Sequence, residues 1–225
     1  MLYTLWSAKG GSGTTVTAAL LAASLTQPPD ALLVDLRGDL PGVLGAAEPP
    51  EGLAEMSAAG ALDRNAIGSM EREVGQGLSL IGRGSGEVDA TGLAPLWDVL
   101  GADARDVVVD AGTLAPDDVT AGRPDRAAAV DAVRRAERSL LVVRSCYLGL
   151  RASIAMLAVL PAVGCILVME PGRLLQSQDV ATVLGVPVLA ELHVSTGVAR
   201  AADAGLLLRK PDRPSIRALR WAAAA

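Results

Sequence analysis

The chain has 225 residues, 51% of them apolar, and a formal charge of −5. That length suffices for one α/β domain with a full core and is short for two, and the acidic balance excludes a general nucleic-acid binder while permitting a local basic patch. Phenylalanine is absent and aromatics reach only 2%, so the core must be Ala, Val, Leu and Ile, which suits a buried parallel sheet under Ala-rich helices.

In chain order, Leu2 to Trp6 predicts a first strand, a Gly-rich loop follows, and Thr14 to Thr26 predicts a helix. Ala31 to Val34 predicts a second strand ending at Asp35; the Gly/Pro/Ala-rich region from Gly38 to Gly60 reads as loop with a short helix. Leu62 to Val74 reads as helical, and Leu78 to Ile81 as a brief strand ahead of the loop Gly82-Arg83-Gly84-Ser85-Gly86. Leu93 to Leu100 predicts a helix with Pro95 in its first turn, where a missing N–H costs little. Val107 to Val109 is a β-branched strand ending at Asp110, and Pro124 to Arg138 predicts an amphipathic surface helix. Strands at Leu140 to Val143 and Cys165 to Met169 flank a helix at Ala152 to Leu160. Leu174 to Leu184 predicts a helix, Val186 to Leu189 a last strand, Val194 to Ala204 a helix, and the tail from Pro214 one more. Strands separated by crossover helices predict one α/β domain over 1–225, a mostly parallel sheet with helices on both faces. Ligands in such sheets bind beyond the carboxyl ends of the strands, so the strand ends carry the functional reading.

Several chemistries find little support. Cys146 and Cys165 have neither metal-site spacing nor a secreted-domain framework and read as buried small hydrophobes. His193 stands alone, which argues against a His-rich metal site or a Ser-His-Asp triad. The chain starts without a cationic segment and runs straight into a strand pattern, so no signal peptide is expected. Ala152 to Met169 carries no charge, but Pro161 and Gly164 break it into helix and strand rather than a membrane span. A cytoplasmic protein is expected.

Between the first strand and first helix lies Ser7-Ala8-Lys9-Gly10-Gly11-Ser12-Gly13-Thr14-Thr15. Its glycines let the backbone turn tightly and point N–H groups inward, and with the positive end of the helix they form a nest sized for a phosphate. Only Lys9 and Lys210 are lysines, so a lysine at any given position has a chance of about one in a hundred. The order Lys-Gly-Gly-x-Gly-x-Thr resembles the deviant Walker A motif of the MinD/ParA ATPases, usually Lys-Gly-Gly-x-Gly-Lys-Thr. The resemblance implies a P-loop NTPase fold with ATP or ADP and Mg²⁺ as cofactors. It implies that Gly10, Gly11, Ser12, Gly13 and Thr14 wrap the phosphates, that Lys9 reaches them across a dimer interface, and that the Thr15 hydroxyl holds Mg²⁺. Thr14 departs from the pattern, taking the place of the second lysine; losing that charge removes much of the stabilisation of the transferring phosphoryl. Binding survives such a change more easily than catalysis.

Asp35 closes the second predicted strand in Val34-Asp35-Leu36-Arg37-Gly38-Asp39-Leu40. Family members usually show Asp-x-Asp here, the second carboxylate orienting the attacking water. Without a gap that place is Arg37, which cannot accept a proton; with a short gap, Gly38-Asp39-Leu40 resembles the CpaE/TadZ branch, proteins that place pilus machinery. Lys9, Asp35 and Asp39 are therefore the catalytic candidates. Asp106-Val107-Val108-Val109-Asp110-Ala111-Gly112 resembles a Walker B strand and switch II turn, which implies that Asp110, with Asp35 and Thr15, holds Mg²⁺ through water. The segment Leu184-Gly185-Val186-Pro187-Val188-Leu189, followed by Ala199 to Gly205, resembles the family's closing segment around the base. The adenine-reading Asn common there is replaced by Glu170-Pro171.

Arg134, Arg135 and Arg138 read as a solvated helix face. Arg209, Lys210, Arg213, Arg217 and Arg220, with Trp221, form a basic C-terminal region whose readings are a solvated helix, DNA contact, or a membrane surface or partner protein. The resemblance implies a spatial-positioning or partitioning protein with impaired hydrolysis, acting as a homodimer or polymer with a partner protein, and recruited to the nucleoid or inner membrane surface. Two rival expectations remain: a slow ATPase switch in which Lys9 replaces the missing lysine, and a nucleotide-independent scaffold.

Overall fold

The computed structural model describes residues 1–25, 30–48, 50–60 and 62–224. Its strands are β1 (Leu2–Ser7), β2 (Ala31–Asp35), β3 (Arg72–Gly75), β4 (Leu78–Ile81), β5 (Asp106–Thr113), β6 (Arg138–Arg144), β7 (Gly164–Met169) and β8 (Val188–His193). They form one sheet in the order β3-β4-β2-β5-β1-β6-β7-β8, parallel throughout except for the antiparallel β3–β4 pair. The helices are α1 (Thr14–Ser24), α2 (Leu40–Leu44), α3 (Leu53–Ala59), α4 (Arg64–Met70), α5 (Ala90–Gly101) and α6 (Pro116–Thr120), then α7 (Pro124–Arg135), α8 (Tyr147–Leu157), α9 (Ser177–Leu184), α10 (Thr196–Asp203) and α11 (Arg213–Ala224). The expected mostly parallel sheet with helices on both faces is present.

The pleat sorts each strand into two apolar layers. Leu2 and Trp6 of β1, with Val107 and Val109 of β5, pack in one layer with residues of α5, α7 and α8. Tyr3, Leu5 and Val108 face the other, filled by Ala18 to Ala22 of α1 and by Leu219 and Ala222 of α11. Small alanines let α1 lie between the sheet and α11, so it is buried nearly all round and lacks an amphipathic stripe. Trp6 escapes an orphaned indole N–H by donating to Ser139 Oγ at 2.9 Å.

The structure corrects some expected boundaries. Residues 72–75 extend as β3 instead of finishing a helix from Leu62, because Gln76-Gly77 makes a two-residue hairpin turn with Gly77 at φ +68°. Arg138 opens β6 rather than ending the preceding helix; Ala136 already has extended backbone. The region 38–60 holds two short helices where one is expected, and α8 starts at Tyr147, earlier than the sequence pattern suggests. The expected end of the first helix at Thr26 lies outside the described residues. No helix among the described residues is long and apolar enough to cross a membrane.

Candidate phosphate and nucleotide site

Sheet order brings the ends of β1, β2, β5 and β6 to one edge of the molecule. β1 delivers the chain at Ser7 into the loop that α1 takes over at Thr14. Gly11 and Gly13 turn it with φ of +74° and +89°, a left-handed backbone that side chains resist. Two hydroxyls gather the loop on one carbonyl: Ser7 Oγ and Ser12 Oγ both donate to the Lys9 oxygen, at 3.2 and 2.6 Å. A Cβ at Gly10 or Gly13 would meet nothing within 4 Å, so the space in front of the loop is open.

The helix start that faces this space is bare. Gly13 occupies the N-cap of α1 and supplies no side-chain acceptor, and the first turn has no acidic residue. By contrast, Asp63, Asp89 and Ser195 cap α4, α5 and α10 with their own oxygens. The leading N–H groups of α1 thus keep their capacity for an anion. Lys9 is exposed and its ammonium forms no hydrogen bond or ion pair among the described residues. Thr14 is 5% exposed, packed at the first turn, and Thr15 is half-buried beside Asp110.

Asp110 and Asp35 are both fully buried and face each other in the parallel β2–β5 register. Burial pushes the Asp110 carboxyl up to about 7; the Thr15 hydroxyl and Gly112 N–H pull it down, while Asp35 and Asp39 push it further up. Asp110 Oδ1 accepts from Gly112 N–H at 3.0 Å, whereas Oδ2 is buried with no hydrogen-bond partner among the described residues. A buried carboxylate oxygen left open beside a threonine hydroxyl fits a hydrated divalent cation. Asp35 is spent differently. Its oxygens accept from the N–H groups of Arg37 (2.8 Å), Gly38 (2.7 Å) and Leu40 (2.9 Å), so it staples the turn after β2; burial raises its pKa against those donors. Asp39 sits exposed at the N-cap of α2.

Arg37 lays its stem against Gly112, whose φ of +69° and lack of Cβ make the room; a methyl there would strike Arg37 Cγ and Cδ. The site therefore presents phosphate donors and one open carboxylate oxygen, with a guanidinium-bearing side chain instead of a proton acceptor near the turn. One contributor, Arg144, is absent from the sequence motifs, and its partner Glu170 stands where the motif expects an adenine-reading Asn. Arg144, at the end of β6, donates from Nη1 to the Gly11 carbonyl at 3.0 Å and pairs through Nη2 with Glu170, just past β7. Arg144 also lines a cavity of about 170 Å³ with Gly11, Ser12, Gly13, Val168 and Ser195. That volume lies below the roughly 300–1,000 Å³ of small-molecule pockets. A charge closing the otherwise apolar run Leu140 to Val143 is the signal that would have singled Arg144 out.

No protein-family model matches the chain, and no curated protein matches it. Solved structures do. The chain is similar to a ParA family ATPase from Chlorobium tepidum at 19% identity, covering 100% of this chain and 99% of that one with a TM-score of 0.79. It is equally similar in sequence, 19%, to the septum site-determining protein MinD from Pyrococcus horikoshii complexed with Mg-ADP, over 99% and 93% of the two chains with a TM-score of 0.76. A Cyanothece McdA–ATP complex matches at 18% identity over 100% and 96%, with a TM-score of 0.68. The fold is that of the ParA/MinD group of P-loop ATPases.

Proposed function

We propose that this chain is a nucleotide-binding positioning protein of the ParA/MinD kind whose hydrolysis is impaired and which works as a homodimer or polymer. The observation that carries the reading is the open phosphate loop on an uncapped helix, with Lys9 projecting to solvent while a buried Thr14 and Arg37 stand where catalytic groups are needed. The loop amides would hold the β-phosphate, and Thr15 with the open oxygen of Asp110 would hold Mg²⁺. Mg²⁺ would neutralise phosphate charge; what the loop lacks is its second lysine, Asp35 is committed to three backbone amides, and Arg37 takes the ungapped place of the water-orienting carboxylate, leaving exposed Asp39 as the carboxylate free for that role. The similarity to proteins described as a ParA family ATPase, MinD with Mg-ADP and McdA with ATP supports the nucleotide and the positioning role.

Lys9, exposed and unpaired among the described residues, is available to a second subunit. The start of α8 carries Tyr147 (71% exposed) and Leu148, apolar groups that a partner copy would cover. The apolar side of α11 is already packed, with Leu219 and Ala222 buried, which disfavours its insertion in a membrane. Its outer side keeps Arg213, Arg217, Arg220 and Trp221 exposed, a surface better suited to DNA or an acidic partner.

Phosphate release from ATP and light scattering with and without Mg-ATP test the reading together. The expected result is a nucleotide-dependent rise in mass, lost in Lys9→Ala, with phosphate release near background. Turnover abolished by Asp110→Ala and comparable to an ordinary ATPase would reject the hydrolytic defect. The same mass in both conditions would favour a scaffold.

A further inference from the structure

The phosphate loop is strapped by a cation from outside its own motif. Arg144 donates to the Gly11 carbonyl and to Glu170; the other Glu170 oxygen accepts from Arg173 Nε at 3.1 Å, and the Glu170 N–H donates to Ser145 Oγ at 3.2 Å. A guanidinium has five N–H donors, and two are engaged here. The Nε–H is buried without a partner among the described residues, an arrangement that calls for an acceptor. The same side chain lines the cavity that opens beside Gly11, Ser12 and Gly13.

We propose that Arg144 is an anion-binding residue of this site, contacting the phosphates of a nucleoside di- or triphosphate and supplying the positive charge absent at Thr14. The assignment rests on the nucleotide reading above. Thr14 is neutral and buried, and Lys9 extends to solvent, so Arg144 is the cation bonded to the loop itself among the described residues. Its planar fork matches phosphate oxygens as well as it matches the Glu170 carboxylate. Glu170 orients the guanidinium and balances its charge before a ligand arrives. Arg173 then keeps Glu170 compensated when Arg144 shares its donors with the incoming anion.

The test compares wild type with Arg144→Ala, Arg144→Lys and Arg144→Gln, each first checked for an unchanged thermal midpoint, in calorimetric titrations with Mg-ADP and with inorganic pyrophosphate. Arg144→Ala is expected to weaken both by roughly tenfold or more. Lysine should restore part of the loss and glutamine none, since glutamine can still donate to the Gly11 carbonyl but carries no charge. Added salt should weaken wild-type binding more steeply than that of the alanine variant. Unchanged affinity in Arg144→Ala, or full rescue by glutamine, overturns the assignment and leaves the nucleotide reading standing. If wild type binds neither ADP nor pyrophosphate, the nucleotide reading itself fails and the assignment with it.

Discussion

Asp110 is the residue on which the chemistry turns. A carboxylate with one oxygen bonded to an amide and the other left open in a dry site resists ionisation, and its neighbour Asp35 adds repulsion. Its folded pKa of about 7 lies above the ordinary carboxyl value of 3.8, so the folded chain holds an extra proton between those limits. The stability contributed by this group is full below the lower value and is lost as pH rises through the upper one. Asp110→Asn removes the titration, so in urea unfolding the variant should lose that part of the decline and gain on wild type at alkaline pH. A bound divalent cation favours the charged form, so Mg-ADP binding near pH 6 should release a proton, read as a dependence of binding heat on buffer ionisation enthalpy. Parallel pH curves for Asp110→Asn and wild type, or no proton release, would contradict this assignment. Gly112 makes a second prediction at this scale. Gly112→Ala meets both a positive φ and the Arg37 stem, and should destabilise by about 1–3 kcal/mol in the same assay.

At the scale of elements, local chemistry was readable and remote packing was not. The loop after β1 announced itself through Lys9 and its glycines, and β2 and β5 through apolar runs stopped by Asp35 and Asp110. β3 was hidden because Arg72-Glu73-Val74-Gly75 has the polarity of a helix surface; only the Gln76-Gly77 turn betrays the hairpin. Arg138 reads as the end of the preceding helix because charge alone does not mark where a surface helix yields to a strand edge. A further junction shows the same limit. Glu55 of α3 accepts from the N–H of Gly52 (2.8 Å), the N–H and hydroxyl of Ser85 (both 3.0 Å) and the N–H of Gly86 (2.9 Å), tying two loops together. Against the desolvation that would raise its pKa, these donors hold it at about 2. Because the folded value is depressed, its contribution is present above 4.5 and lost as pH falls through about 2. Glu55→Ala should cost about 1–3 kcal/mol at neutral pH, measured by urea unfolding, with the deficit shrinking in acid. An acid-insensitive deficit would point to lost packing instead.

The whole molecule explains why one part of the site escaped sequence reasoning. Arg144 lies 133 positions from Gly11, and the two meet because β6 pairs with β1 in the sheet. Glu170 reaches Arg144 because β7 pairs with β6. A motif read along the chain sees Lys9 to Thr15 as a unit, whereas strand order decides what stands opposite. The same order explains a fold shared across full length at 19% identity: buried parallel strands need only apolar runs, and the loops at their carboxyl ends can change chemistry. The central claim is that this edge binds a nucleotide although part of its catalytic equipment is missing. Calorimetric titration of the purified protein with Mg-ADP tests it most directly. The account predicts saturable binding of one nucleotide per chain, competed by pyrophosphate; heats no larger than dilution for ADP, and for ATP in the same cell, would contradict it.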